Sequence, residues 1–159
     1  MLLEPSESMQ GATNLVTIET ELLDLERRFW TEGPDFYRRH VDESCLVALP
    51  EQTGVVGPDA LAASVGEGPR WRDVHFDVQG VSEPCAEIAL VTYRAHATRS
   101  DGERYASLVS SAYVRRDGEW KLAFHQQTPL GLEPRPSSDV EVAGREPTGV
   151  GTHLGIDTP

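Results

Sequence analysis

The sequence predicts an α+β domain in which three N-terminal helices pack against a cone-shaped, curved antiparallel sheet of about five to six strands. Residues 85–130 indicate three consecutive strands, with turns at Asp101-Gly102 and Asp117-Gly118, because Gly adopts positive φ without a Cβ clash. The runs between these turns are rich in Val, Ile, Thr, Tyr and Ala, which suit a half-buried pleated surface. All helix-like stretches come before this meander. A strongly bent sheet closed by helices leaves a cavity, which is a common place for a ligand.

The first helix is predicted from an apolar stripe with spacings of three and four residues, formed by Leu15, Ile18, Leu22, Leu25 and Phe29. Asn14 is expected to cap its N-terminus, and Gly33 to end it. Pro34 and Pro58 are expected to open two short helices, because the missing N–H of proline costs nothing in a first turn.

Two short strands and one long strand are predicted before the meander. Residues 45–49 form an apolar run, and residues 54–57 are its expected hairpin partner. Residues 73–81 alternate, with Val74 and Phe76 on one face and His75 and Asp77 on the other. Residues 82–84 are expected to turn the chain into the meander.

The length of 159 residues favours one domain, which we place at residues 14–131. Residues 1–13 carry no apolar period and are expected to be flexible. Residues 132–159 are rich in Gly, Pro and polar residues, and they are expected to form a mobile tail. A tail that is ordered against a neighbouring subunit is the alternative.

Charge and motifs exclude several classes of function. The formal charge is −12, so phosphate backbones and anionic lipid surfaces would repel the chain, and no nucleic-acid or membrane partner is expected. The N-terminus lacks the basic and apolar regions of a secretory signal, which favours a cytoplasmic protein. Cys45 and Cys85 show no metal-binding spacing and are expected to be buried free thiols. Neither a metal nor a nucleotide cofactor is predicted.

Three sequence stretches resemble a known family. They are the helix start Gly57-Pro58-Asp59-Ala60-Leu61, the turn and strand Asp117-Gly118-Glu119-Trp120-Lys121-Leu122, and the ending Phe124-His125-Gln126-Gln127-Thr128-Pro129. Over about residues 15–130 the chain resembles the nuclear transport factor 2-like superfamily, in its SnoaL-like and ketosteroid-isomerase-like branch of uncharacterised small proteins. The resemblance implies a cone-shaped barrel, usually dimeric, with a pocket between sheet and helices. Members include isomerases, dehydratases, cyclases and epoxide hydrolases, while others only bind ligands or assemble larger proteins.

The candidate catalytic residues are His125, Asp77 and Tyr93. Isomerase chemistry needs a base in an apolar pocket and hydrogen-bond donors for a developing oxyanion. Asp77 could be that base with Tyr93 or Tyr113 as the donor, and His125 titrates near neutral pH. The predicted ligand-binding set is Trp71, Tyr93, Ser111, Tyr113, His125 and Gln127. A solvated Asp77 and a purely structural His125 are the alternative interpretations.

The direction in which the last strand faces is left open. Simple alternation places His125 and Gln127 opposite Trp120, Leu122 and Phe124, but a β-bulge would reverse the later positions. Trp120, Leu122 and Phe124 form an apolar row that should be shielded from water. We therefore expect a homodimer through the open sheet face.

Two functional hypotheses follow from these residues. The first is a cone that binds a small, modestly apolar molecule and acts as a cofactor-independent isomerase, dehydratase or cyclase. The second is a non-catalytic module for ligand sensing or dimeric association. The sequence does not decide whether the protein is an enzyme.

Overall fold

Three helices and six strands make up the part of the chain that the structure, a computed structural model, describes: residues 7–66 and 71–131. The helices are α1 (Glu7–Thr31), α2 (Pro34–His40) and α3 (Pro58–Val65). The strands are β1 (Val41–Ala48), β2 (Thr53–Val55), β3 (Asp73–Cys85), β4 (Ile88–Thr98), β5 (Arg104–Arg116) and β6 (Glu119–Pro129). The predicted α+β class is confirmed. None of these helices is both long and apolar enough to cross a membrane.

The strands form one open sheet in the order β2-β1-β6-β5-β4-β3. Neighbouring strands are antiparallel except β1 and β6, which are parallel, so the sheet is mixed rather than purely antiparallel. The sequence pattern did not identify this parallel pair, because its strands lie far apart in the chain and no turn joins them. The pair places β1, the first strand in the chain, beside β6, the last.

Three expectations about boundaries and burial are corrected. α1 begins at Glu7 rather than Asn14, because good helix formers such as Met9 and Ala12 extend a helix without an apolar stripe. Residues 82–84 lie inside β3, where Pro84 is tolerated because β3 is an edge strand. Cys45 is buried as expected, but Cys85 is exposed at the end of that edge strand. The expectations for residues 1–6 and 132–159 lie outside the described residues.

A β-bulge in β6 decides which side chains face the helices. Ala112 pairs with Phe124, but Tyr113 pairs with Leu122, so Ala123 is an extra residue in the ladder. His125 and Gln127 consequently share the inner face with Trp120 and Leu122, while Phe124 points outward. The expected apolar row of Trp120, Leu122 and Phe124 on one open face is therefore wrong, since Trp120 and Leu122 are buried.

A buried carboxylate joins α1 to the sheet. Glu26 is 0% exposed, and it accepts hydrogen bonds from the hydroxyls of Tyr93 at 2.5 Å and Tyr113 at 2.7 Å. The indole Nε1 of Trp30 donates to the Tyr93 hydroxyl at 3.0 Å. Burial, and then the negative charge of Glu26, raise the pKa of both tyrosines well above the ordinary value, so both hydroxyls remain donors.

We predict that Tyr113→Phe lowers the free energy of unfolding by about 1.5–3 kcal/mol, because it removes a hydrogen bond to a buried charged group. Urea denaturation followed by circular dichroism measures this loss. Tyr105→Phe is the matched control, since its half-buried hydroxyl bonds neutral groups rather than a charge, and its cost is expected to be about 1 kcal/mol. Equal losses in the two variants would show that Glu26 does not anchor α1.

Candidate functional site

A cavity of about 390 Å³ lies between the helices and the inner face of the sheet. The apolar part of its wall comes from both layers and includes Phe29, Trp30, Val47, Leu61, Trp71 and Leu122. Its polar side chains include Tyr105, His125 and Gln127, which are half-buried, and Glu51, Ser64, Arg99 and Glu103, which are exposed. The cavity therefore has an apolar interior, a polar strip on the sheet and a charged open end.

The polar strip is a continuous chain of hydrogen bonds across β5 and β6. The Tyr105 hydroxyl donates to Gln127 Oε1 at 3.1 Å, and Gln127 Nε2 lies 2.9 Å from His125 Nε2. His125 Nδ1 is 2.9 Å from the Oγ of Ser111, which is buried behind it. Residues 111 and 125 are directly paired across the two strands, and so are residues 109 and 127. The strand register therefore fixes the order of this chain.

Three aromatic rings form one end of the cavity. The ring centroids of Trp30 and Trp71 are 5.9 Å apart, and Tyr105 lies 6.1 Å from Trp30 and 5.5 Å from Trp71. The guanidinium of Arg99 lies 4.7 Å from the Trp71 ring centroid, and it pairs with Glu103 at 2.9 Å. This group offers a flat apolar surface beside the Tyr105 hydroxyl, which suits a planar ligand that carries one oxygen.

Partial burial is the main reason that Tyr105 stays protonated. Burial raises the pKa of the Tyr105 hydroxyl, a hydrogen bond with Ser107 lowers it, and the negative charge of Glu51 raises it, so the net shift is upward. The Tyr105 hydroxyl is therefore a hydrogen-bond donor, and its acceptor here is Gln127 Oε1. In the described ranges, no three His, Cys, Asp or Glu side chains are grouped closely enough to hold a metal ion.

The structure brings together some of the predicted site residues. Trp71, His125 and Gln127 line the cavity, and Ser111 supports His125 from behind. Tyr93 and Tyr113 do not line it, because their hydroxyls are committed to Glu26.

Asp77 is exposed, where it accepts a hydrogen bond from Gln79. The alternation of β3 turns Phe76 toward the interior and Asp77 away from it, so Asp77 is not beside the cavity.

The residues in or behind this region that the predicted site sets omitted include Tyr105, Glu26, Trp30 and Arg99. A signal for Glu26 was present, since it follows Leu22 by four residues and therefore continues the apolar stripe of α1. Trp30 lies next to Phe29 at the end of the same stripe. Arg99 had no signal, because a charged residue beside a turn is ordinarily solvated.

A second cavity of about 450 Å³ has a different character. It is lined partly by Arg27, Arg72, His75, His96 and Arg104, all of which are exposed. The aromatic cavity is the better candidate for a small apolar molecule, because it provides the buried apolar walls that such a ligand needs.

Comparisons with known proteins identify the fold. No family model and no curated protein matches the sequence. A putative scytalone dehydratase from Novosphingobium aromaticivorans is 15% identical over 77% of this chain and 88% of its own, with a TM-score of 0.57. A putative ketosteroid isomerase from Parabacteroides distasonis is 19% identical over 70% of this chain and 86% of its own, with a TM-score of 0.55. The association domain of C. elegans CaMKII is 18% identical over 77% of this chain and 99% of its own, with a TM-score of 0.55.

Several further structures with the same fold are named NTF2-like proteins of unknown function. At these identities the likeness concerns the fold alone, because one fold supports many activities. The architecture agrees with the resemblance found at the last strand and at the start of the third helix. The chain therefore has the nuclear transport factor 2-like fold.

Proposed function

We propose that the cavity binds a small, modestly apolar molecule bearing a carbonyl or hydroxyl oxygen, and that His125 transfers a proton in a cofactor-independent isomerisation or dehydration. The observation that carries this proposal is the position of His125, held between Ser111 and Gln127 in the wall of an aromatic cavity. The names of two similar structures, a putative isomerase and a putative dehydratase, support the same class of reaction.

The aromatic walls supply part of the binding energy. Burial of roughly 200 Å² of ligand apolar surface contributes about 5 kcal/mol. A micromolar dissociation constant requires about 8 kcal/mol, so apolar contact alone is insufficient. Polar contacts with the strip of Tyr105, Gln127 and His125 would supply the remainder and fix the orientation of the ligand in the cavity.

The proton chemistry needs no carboxylate base. Ser111 Oγ fixes the orientation of the imidazole through Nδ1, so Nε2 is the nitrogen that would exchange a proton once a ligand displaces the Gln127 amide from it. Tyr105 is a neutral donor that can stabilise negative charge developing on a ligand oxygen. The two groups thus divide the roles of base and oxyanion donor that the chemistry requires.

A non-catalytic module for ligand sensing or association is the second candidate. It is favoured by the bond between His125 Nε2 and Gln127, because that nitrogen is already engaged without a ligand. It is also favoured by the similarity in fold to an association domain.

We also propose a homodimer through the outer sheet face. Strand pairing aligns a row of apolar side chains across five strands: Val55, Leu46, Phe124, Ala112 and Leu90. Leu46 is 46% exposed and Leu90 is 40% exposed. A continuous apolar row of this length on a sheet is a typical protein–protein contact.

Binding is tested with 2-naphthol, a planar apolar probe with one hydroxyl. We expect isothermal calorimetry to detect binding that Ser64→Trp weakens by at least about tenfold, because the indole would fill the open end of the cavity. Ala63→Trp is the matched control on the same helix, since Ala63 is exposed and does not line the cavity. No binding to the wild-type protein, or equal binding to both variants, would count against the cavity as the site.

Proton transfer is tested with 2-tetralone, an enolisable bicyclic ketone. We expect the protein to accelerate exchange of its α-hydrogens for deuterium, followed by NMR. His125→Gln keeps a hydrogen-bonding side chain but cannot take up a proton, so the acceleration should fall by about 10²–10⁴-fold.

His96→Gln is the control, because His96 is exposed and outside the aromatic cavity. Acceleration that persists in His125→Gln contradicts the proposed role of His125. Binding of 2-tetralone without any acceleration favours the ligand-sensing module.

The dimer is tested by sedimentation velocity at micromolar concentration. We expect the wild-type protein to sediment as a dimer and Leu90→Glu as a monomer, because the new carboxylate would be buried in the apolar row. Ala63→Glu introduces the same charge on the exposed side of α3 and should leave the dimer intact. A monomeric wild-type protein would remove this proposal.

A further inference from the structure

We propose that Gln127 is a positioning residue that couples protonation of His125 to the direction of the Tyr105 hydroxyl. The side-chain amide of Gln127 lies between the two groups, with Oε1 accepting from Tyr105 and Nε2 facing His125. An amide presents an acceptor at one end and donors at the other, so it cannot offer the same group to both neighbours. The proton on His125 therefore determines what Gln127 offers to Tyr105.

With neutral His125, the three contacts of the strip fit one consistent hydrogen-bond pattern. Gln127 Nε2 only donates, so His125 Nε2 accepts, and the ring hydrogen lies on Nδ1, where it is donated to Ser111 Oγ. The Tyr105 hydrogen is then directed to Gln127 Oε1. In this state the Tyr105 hydroxyl hydrogen is not available to a ligand.

Protonation changes only one end of the imidazole. His125 Nδ1 still donates to Ser111, but Nε2 now carries a hydrogen and would face the amide hydrogens of Gln127. Rotation of the amide by about 180° removes this conflict, since Oε1 then accepts from Nε2–H and the amide nitrogen donates to the Tyr105 oxygen. The Tyr105 hydrogen can then no longer point at Gln127, so the hydroxyl turns away from it.

The consequence for a ligand rests on the proposed function. The ligand first displaces the Gln127 amide from His125 Nε2, because the single lone pair of that nitrogen cannot accept from both. A proton then leaves a carbon of the ligand for Nε2, and the electron pair of the broken C–H bond moves onto the ligand oxygen. Gln127 Oε1 then accepts from the new Nε2–H, and the Tyr105 hydroxyl can donate to the ligand oxygen. Return of the proton to the ligand reverses both changes. The oxyanion donor is thus presented only while negative charge is present on the ligand.

Other charged groups border the cavity and affect the pH at which His125 is protonated. Glu51 and Glu103 carry negative charge that favours protonated His125, and Arg99 carries positive charge that opposes it. Tyr37 and Tyr105 are the phenols on the wall. Burial raises the pKa of Tyr105, so it remains protonated while a histidine titrates.

NMR tests the coupling in the full chain without any ligand. Between about pH 5 and 8, the range in which an imidazole ordinarily changes charge, we record the ring nitrogens of His125, the side-chain NH₂ of Gln127 and the ring carbons of Tyr105. All three sets of signals should shift with one common midpoint. Signals of Gln127 or Tyr105 that stay constant while His125 titrates would overturn the proposal.

Two variants separate coupling from simple proximity. Gln127→Met keeps the length of the side chain but removes the amide, so His125 should still titrate while the Tyr105 signals no longer follow it. Gln126→Met is the matched control, because the Gln126 amide contacts Thr128 rather than His125, and the coupling should persist. Tyr105 signals that still follow His125 in Gln127→Met would overturn the role of Gln127. Because no ligand is needed, a failed exchange assay with 2-tetralone would leave this result unaffected.

Discussion

The burial of Glu26 is the constraint on which the rest of the structure depends. A carboxylate that is fully removed from water is tolerated only where donors replace its hydration, and here the donors are hydroxyls from β4 and β5. Because Tyr93 and Tyr113 project from fixed positions of the sheet, Glu26 fixes the position of α1 along its axis. Trp30, one turn later, joins the same network and forms part of the cavity wall. The hydrogen bonds of Glu26 therefore also position Trp30, which forms one side of the cavity.

The bulge at Ala123 is the second constraint, and it acts on the opposite wall. Without the extra residue, His125 and Gln127 would lie on the outer face of the sheet, where Phe124 lies now. The polar strip would then not border the cavity. With it, Trp120 and Leu122 fill the core while the next two inward positions are polar. One inserted residue thus divides β6 into a segment that supports the fold and a segment that borders the site.

The sequence predicted the helices opened by Pro34 and Pro58 and the strands around the two Asp-Gly turns, because these features depend on local backbone preferences. It also predicted His125, Gln127 and Trp71 as site residues, and all three border the cavity. It did not predict the β1–β6 pairing, the position of the bulge or the role of Glu26. Each of these depends on contacts between residues far apart in the chain, and a charged residue in an apolar stripe does not reveal which hydroxyls will meet it.

The described residues form two polar networks inside the fold, and the difference between them explains which one is suited to chemistry. In the Glu26 network, both tyrosine hydroxyls donate to the carboxylate, and the Trp30 indole, which can only donate, bonds the Tyr93 oxygen, so the arrangement has a single favourable state. In the strip from Tyr105 to Ser111, an amide and an imidazole can each exchange donor and acceptor ends, so two states are compatible with the same backbone. In the first network only Trp30 reaches the cavity, whereas Tyr105, Gln127 and His125 of the second all line it. Reversible proton transfer requires a network with two donor–acceptor arrangements and with access to a ligand. Of the two networks, only the strip has both properties.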